Sequence, residues 1–437
     1  MKIRHAPPWI IIAATWILLL FMTAFTQGWS WQLYDETSWI EYYRKFNGDF
    51  LKFAKFDFLM DGRWRPLSAF FPFVKYDLLG FDVRALKIAR ILELGIILTL
   101  LHAVLTKTLR LPGLVTAFLA GFFLKSPPVL EQLKYMTISE LSTLPLLLAV
   151  FLFSGSRRWI GYAALFLAAL TKEPLALLLP IPAFLEKRWR EAALAGLVSI
   201  AYVAALFSIR NRMPNLTSIP YSLSNVSMSG AKEILKGFFL DYALLIPFLA
   251  CSFDRKKPLS QKMPYLLLGG LAVSYAVMVT PRTWGYTYIY VPVTLLLTLT
   301  AAGVVTERKV RSPILDWFLT ICLVLFCSRA VWNWSKTCSG SSARAEIIEN
   351  ISAYPRSGTV ASNCQVDVHG IGWMAGKADG VSCIDRGISP KACCANSALL
   401  AIGKECLNFD ELSKAAATEK LKIIHENKRW KLFSCSE

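Results

Sequence analysis

Residues 334–437 contain no long apolar run, and that absence separates them from everything before. The chain has no CxxC pair; its adjacent Cys393-Cys394 and distant His369 and His425 make a poor zinc site. No RNA- or DNA-binding motif is present, so the net charge of +18 is not read as a nucleic-acid footprint. The basic residues sit instead in short loops between apolar segments. Charge is scarce overall, at 18% of residues against 55% hydrophobic. A soluble protein of 437 residues fills its core with far less apolar content, so the excess has to face lipid.

What is present is a succession of apolar stretches. A membrane-crossing helix needs about 20 mostly apolar residues. Candidates lie at 9–25, 86–106, 112–128, 138–153, 159–172, 174–186, 191–208, 236–252, 263–280, 287–305 and 313–331. Two short ones are separated only by Lys172-Glu173-Pro174, and one broken or re-entrant segment is the alternative reading there. The first core is longer than that of a signal peptide and ends in a poor cleavage site, so it is read as an uncleaved span. The expected architecture is an all-α polytopic membrane domain of about eleven helices over 1–331, with a first outer loop at 28–85. A small cysteine-rich soluble domain, α/β or α+β, follows over 334–437.

Orientation follows from the loops. Thr106-Lys107-Thr108-Leu109-Arg110, Gly155-Ser156-Arg157-Arg158, Glu186-Lys187-Arg188-Trp189-Arg190, Asp254-Arg255-Lys256-Lys257 and Glu307-Arg308-Lys309-Val310-Arg311 are all basic. They alternate with less basic loops, which puts them and the N-terminus in the cytoplasm. The loop 28–85, the Lys172-Glu173 turn, 209–235, 281–286 and the C-terminal domain then lie outside a cell (inner) membrane. Seven of the ten cysteines, Cys338 to Cys435, fall on that side, where disulfides are expected and one thiol is left over.

The outer loop 28–85 carries the chemistry-bearing residues. Asp35-Glu36 stands just after the first span, where two carboxylates at a water–lipid boundary are costly unless paired or used. The bland reading is a solvated loop start. Next, 39–56 alternates aromatic and basic residues, which suits a helix lying in the interface among membrane lipids. Met60-Asp61-Gly62-Arg63-Trp64-Arg65-Pro66-Leu67 is a turn presenting two guanidinium groups, fitted either to a substrate phosphate or to lipid headgroups. On the same face lie the Lys172-Glu173 pair and Arg282, which is followed by the tyrosines Tyr286, Tyr288 and Tyr290. The tyrosines suit an interfacial belt. A carboxylate base beside a phosphate-binding cluster is what sugar transfer from a lipid phosphate requires.

In these elements the sequence resembles the GT-C superfamily of membrane glycosyltransferases, particularly the protein O-mannosyltransferases and the bacterial aminoarabinose transferase group. The matching residues are Asp35-Glu36, Gly62-Arg63-Trp64-Arg65-Pro66, Leu170-Thr171-Lys172-Glu173-Pro174, and Arg282 with Tyr288 and Pro292, spread over about residues 1–330. The resemblance implies an inverting transfer from a polyprenyl-phosphate-linked sugar to an acceptor glycan, lipid or protein hydroxyl. Asp35 would be the catalytic base, with Glu36 positioning the acceptor or orienting Asp35. Arg63, Arg65, Lys172 and Arg282 would contact the lipid phosphate, with Glu173 and Tyr288 beside them. One base suffices for a single displacement. Some members hold a divalent metal through acidic pairs in two loops; this chain shows no second acidic site, so no metal or other cofactor is expected.

Two other classes are weighed against this reading. A surface-polysaccharide polymerase or ligase would put its working arginines in a large later outer loop, whereas here the first loop is longest. A transporter or flippase would show charged or broken segments at mid-membrane and an internal repeat. The sequence offers only the Lys172-Glu173 break.

Overall fold

The computed structural model describes residues 8–26, 35–61, 63–133, 141–153, 157–211, 245, 248, 259–278, 291–304, 313–353, 359–362, 378–382, 389–394, 397–403, 409–427 and 430–435. Helices dominate: α1 (Pro8–Thr23), α2 (Asp35–Lys45), α3 (Phe50–Asp61), α4 (Pro66–Leu79), α5 (Val83–Ala103), α6 (Gly113–Lys125) and α7 (Pro127–Gln132). They continue with α8 (Leu144–Phe153), α9 (Arg158–Ala169), α10 (Ile181–Leu185), α11 (Trp189–Asn211), α12 (Leu259–Met278), α13 (Val291–Val304) and α14 (Pro313–Ala353). The C-terminal part adds β1 (Thr359–Ser362), β2 (Ala378–Ser382), α15 (Pro390–Cys394), β3 (Ser397–Gly403), α16 (Phe409–Thr418), β4 (Lys422–Glu426) and β5 (Trp430–Ser434).

Among the described residues three helices are long and apolar enough to cross a membrane: Val83–Thr108, Trp189–Leu206 and Asp316–Lys336. Shorter apolar helices of 10–17 residues accompany them. By length and composition these three helices suit a multi-pass membrane protein, and the larger number of eleven spans rests on the sequence. The expected span at 236–252 lies outside the described residues apart from Leu245 and Phe248, both buried.

Three expectations are corrected. The aromatic and basic stretch 39–56 is not one helix but the end of α2 and the start of α3. Asn47 (φ 49°) and Gly48 (φ 73°) turn left-handed between them, and the Asp49 carboxylate caps α3 by accepting from the amides of Leu51 and Lys52. The stretch 174–186 does not form one continuous α-helix, in keeping with the alternative reading of a broken segment. It is a 3-10 helix, Glu173–Leu178, followed by α10, because prolines 174, 180 and 182 interrupt the α ladder. The third concerns charge within the apolar segments, expected at Lys172-Glu173 alone. Lys87 and Arg90 are fully buried on α5, and Glu93 lies one turn further on.

The chain divides into two compact units: Met1–Thr23, Tyr43–Gly80 and Ile88–Asn333 form one, and Ala24–Tyr42, Phe81–Lys87 and Trp334–Glu437 the other. In the first unit helices pack through small residues, as lipid supplies little hydrophobic drive between them. Trp16 of α1 lies across Gly95 of α5, where an added Cβ would come within 2.5 Å of the indole, and its Nε1 donates to Thr99 Oγ1 at 3.2 Å. At the start of α5, Asp82 caps the amides of Arg84 and Ala85.

In the second unit five strands form a sheet in the order β2-β1-β3-β5-β4. β1 runs parallel to β2 and β3, while β5 is antiparallel to β3 and β4. Period-two alternation gives the central strand two buried faces. Leu399 and Ala401 pack with Ile347 and Ile351 of α14, whereas Leu400 and Ile402 pack with Cys393, Leu412 and Ala416 of α15 and α16. A disulfide joins Cys394 to Cys435, and Cys393 is disulfide-bonded as well. Among the described tail cysteines, Cys338 is a free thiol, buried on α14.

Candidate functional site

Two turns far apart in sequence meet in the membrane unit. The amide of Leu67, the second residue of α4, donates to the carbonyl of Leu170 at 3.1 Å. Leu67 lies two residues after Arg65, and Leu170 two before Lys172, so this bond joins the Arg63–Pro66 turn to the Leu170–Pro174 turn.

Each turn has local causes. Pro66 opens α4 at its first position, where a missing N–H costs nothing. The Arg65 carbonyl accepts from the Ser68 amide at 3.0 Å and from the Ser68 hydroxyl at 2.7 Å. The Arg65 side chain is held by Asp57 of α3, whose Oδ2 accepts from Nε at 2.7 Å. Arg63 is half-buried, while Trp64 is exposed and meets Phe58 edge-on with ring centroids 6.1 Å apart. In the second turn, Thr171 and Lys172 amides both reach the Ala168 carbonyl, and Leu175 donates to the Lys172 carbonyl. Lys172 and Glu173 are only 5% and 3% exposed, so both charged side chains sit inside the membrane unit. Ser199 of α11 fastens the following 3-10 helix by donating to Ala176 at 2.7 Å.

A second polar cluster lies on α4, α5 and α7. Glu93 Oε2 accepts from Lys75 Nζ at 2.9 Å and from Arg90 at 2.7 Å, while Oε1 accepts from the Ser142 hydroxyl. Arg90 also donates to Gln132 Oε1 at 2.6 Å, and that oxygen accepts from the Leu141 amide at 3.1 Å. Two cations thus share one carboxylate, with Ser142 and Gln132 as neutral partners, which lowers the cost of burying charge while leaving the Gln132 amide nitrogen without a hydrogen-bond partner. Nearby on α4, Asp77 accepts a hydrogen bond from the Tyr43 hydroxyl, and this bond to a carboxylate pushes the phenol pKa up.

Of the residues singled out in sequence, Asp35 and Glu36 are the first two residues of α2, which makes α2 a helix opened by carboxylates. Arg63, Arg65, Lys172 and Glu173 all belong to the membrane unit, on the two turns that the Leu67–Leu170 bond joins. Arg282 and Tyr288 lie outside the described residues. Sequence reasoning missed Asp57, Lys75, Arg90, Glu93 and Gln132. The signal for part of this was available: Lys87, Arg90 and Glu93 recur every three residues in an otherwise apolar helix and so share one face. Nothing local marks Asp57 or Gln132, whose partners are distant in sequence or in another helix.

No protein-family model matches the sequence, and no curated protein sequence matches it. Solved structures do. The crystal structure of ArnT from Cupriavidus metallidurans bound to undecaprenyl phosphate aligns with a TM-score of 0.54 and 13% identity, covering 98% of this chain and 97% of that one. The apo state of the same protein aligns with a TM-score of 0.52 and 14% identity over the same shares. The likeness spans both the helical part and the small C-terminal sheet and establishes that this chain has an ArnT-like fold.

Proposed function

We propose that this protein is an inverting glycosyltransferase that moves a sugar from a polyprenyl-phosphate donor to an acceptor hydroxyl at the outer face of the membrane. The observation that carries this reading is the Leu67–Leu170 hydrogen bond. It joins the turn that bears Arg63 and Arg65 to the turn that bears the Lys172-Glu173 pair, between which a lipid phosphate would be held. The shared fold supports the same donor class, because one of the matching ArnT crystals is bound to undecaprenyl phosphate.

In this reading Asp35 takes the proton of the acceptor hydroxyl as that oxygen attacks the anomeric carbon. The bond from the anomeric carbon to the phosphate oxygen breaks, its electron pair stays with the phosphate, and the anomeric centre inverts. Arg63, Arg65, Lys172 and Arg282 stabilise the charge that develops on the leaving phosphate, which gains most in a water-poor site. Glu36 orients Asp35 or the acceptor, and Glu173 and Tyr288 complete the surroundings of the phosphate. Residues 1–331 form the transferase domain, and 334–437 an outward domain that recognises the acceptor or caps the outer face.

The test is mass spectrometry of surface glycans and lipids from cells with and without the protein, and with Asp35→Asn in its place. The substitution keeps size and hydrogen bonding but removes the base. Loss of the sugar with unchanged membrane insertion supports the reading; full activity in that variant removes Asp35 as base.

A further inference from the structure

We propose that Lys75 is a positioning residue: its ion pair with Glu93 holds α4 so that the Arg63–Pro66 turn stays against Leu170. This rests on the donor reading above, because the turn is taken there to bind the lipid phosphate.

Helix α4 is fixed at its start by the Leu67–Leu170 bond and by the Arg65–Asp57 pair. Towards its other end α4 meets α2 through the Tyr43–Asp77 hydrogen bond and the edge-on rings of Tyr43 with Phe73 and Tyr76, and it meets α5 through Lys75. Moreover, α4 has a buried proline inside it, Pro72. Proline has no N–H, so the bond it would make to the carbonyl four residues earlier, that of Ser68, is missing, and the helix is weakest between its two ends. Lys75 lies nine positions after Pro66, about 13 Å along the axis and beyond that weak point. There its Nζ reaches Glu93 Oε2 on α5 at 2.9 Å. Of these contacts the Lys75–Glu93 pair is the one that ties the second half of α4 to α5, and it thereby helps set the angle at which the first half meets the Leu170 turn.

Stability alone does not account for this pair. A buried ion pair recovers little more than its desolvation cost, and its best-attested use is to fix register. Glu93 already has a cation in Arg90, at 2.7 Å, and a hydroxyl in Ser142. Without Lys75 the Arg90–Glu93 pair remains electrically balanced, so removing Lys75 leaves no unpaired carboxylate behind. The two cations thus divide the work. Arg90 ties α5 to Gln132 and Leu141, and Lys75 ties α5 to α4.

The test is binding of undecaprenyl phosphate to the full-length protein in detergent, read beside the thermal midpoint. Lys75→Met is expected to weaken binding about tenfold with little change in midpoint, and Lys75→Arg to restore it. Arg90→Met, which leaves the Lys75–Glu93 contact in place, is expected to lower the midpoint while leaving the affinity as it was. Pro72→Ala makes the helix continuous, so Lys75→Met in that background is expected to lose only about twofold against Pro72→Ala itself. The same comparison stands in place of the single variant if Lys75→Met does not fold. Wild-type affinity in Lys75→Met, equal weakening by Arg90→Met, or an undiminished loss in the Pro72→Ala background overturns the proposal. Absence of binding by the wild-type protein overturns the donor reading, and this inference with it.

Discussion

Asp57 holds Arg65 edge-on, with Oδ2 accepting from Nε at 2.7 Å, and the carboxylate is 6% exposed. The guanidinium is thus aimed by a side chain eight residues earlier, on the preceding helix. Asp57→Asn keeps the shape and removes the counter-charge. Because Arg65 is partly exposed, the expected loss is below that of a fully buried pair, about 1–3 kcal/mol by thermal unfolding in detergent. Donor affinity is expected to change in the same variant. Unaltered stability and affinity would show that Asp57 does not aim Arg65.

Gly48 has a φ of 73°, and an added Cβ would stand 3.3 Å from the Tyr43 ring. Both the backbone and the space therefore oppose a side chain. Gly48→Ala is expected to destabilise by about 1–2 kcal/mol, measured as a shift in the thermal midpoint. A midpoint equal to that of the wild type would mean the turn relaxes freely.

The Cys394–Cys435 bond closes a separation of 41 residues. It ties α15 to the end of β5 across one face of the sheet. Replacing both cysteines with serine is expected to cost the C-terminal unit about 3–4 kcal/mol. Limited proteolysis of the intact membrane protein should then cut residues 390–435 much faster, with the membrane helices unaffected.

Cys338 differs from Cys393, Cys394 and Cys435 in being a free, buried thiol. Burial pushes its pKa up to about 12 despite Lys87 beside it. A raised folded value means that the stability owed to the neutral thiol is full below its ordinary pKa of 9.0 and is lost as pH climbs towards 12. At pH 8 iodoacetamide should therefore label Cys338 only after denaturation. Labelling of the folded protein at the rate of a model thiol would contradict its burial.

Much of the molecule was legible in the order of its residues. Apolar length gave the membrane helices, the alternation of basic loops gave an orientation that awaits measurement, and the absence of apolar runs after residue 334 marked the part that holds the sheet. The two cationic turns could be picked out singly, because Gly62, Pro66 and Pro174 announce turns and charge near lipid is conspicuous. Their meeting could not. The bond between Leu67 and Leu170 uses backbone groups present in every residue, so no side chain advertises it. The Lys75–Glu93–Gln132 network was hidden for a related reason: its members are spread over three helices, and each alone looks like an ordinary charged or polar residue. Proline-rich 174–186 has the composition of a span, and its prolines, not its hydropathy, break it into a 3-10 helix and a short α-helix.

The strand order β2-β1-β3-β5-β4 also bears on how the polypeptide is made. A ribosome delivers β4 before β5, yet β4 joins the sheet only through β5. However fast the earlier strands assemble, β4 must wait as an unpaired ribbon until its bridging neighbour has been made. During that interval its open edge is available to chaperones and to mispairing with other nascent chains.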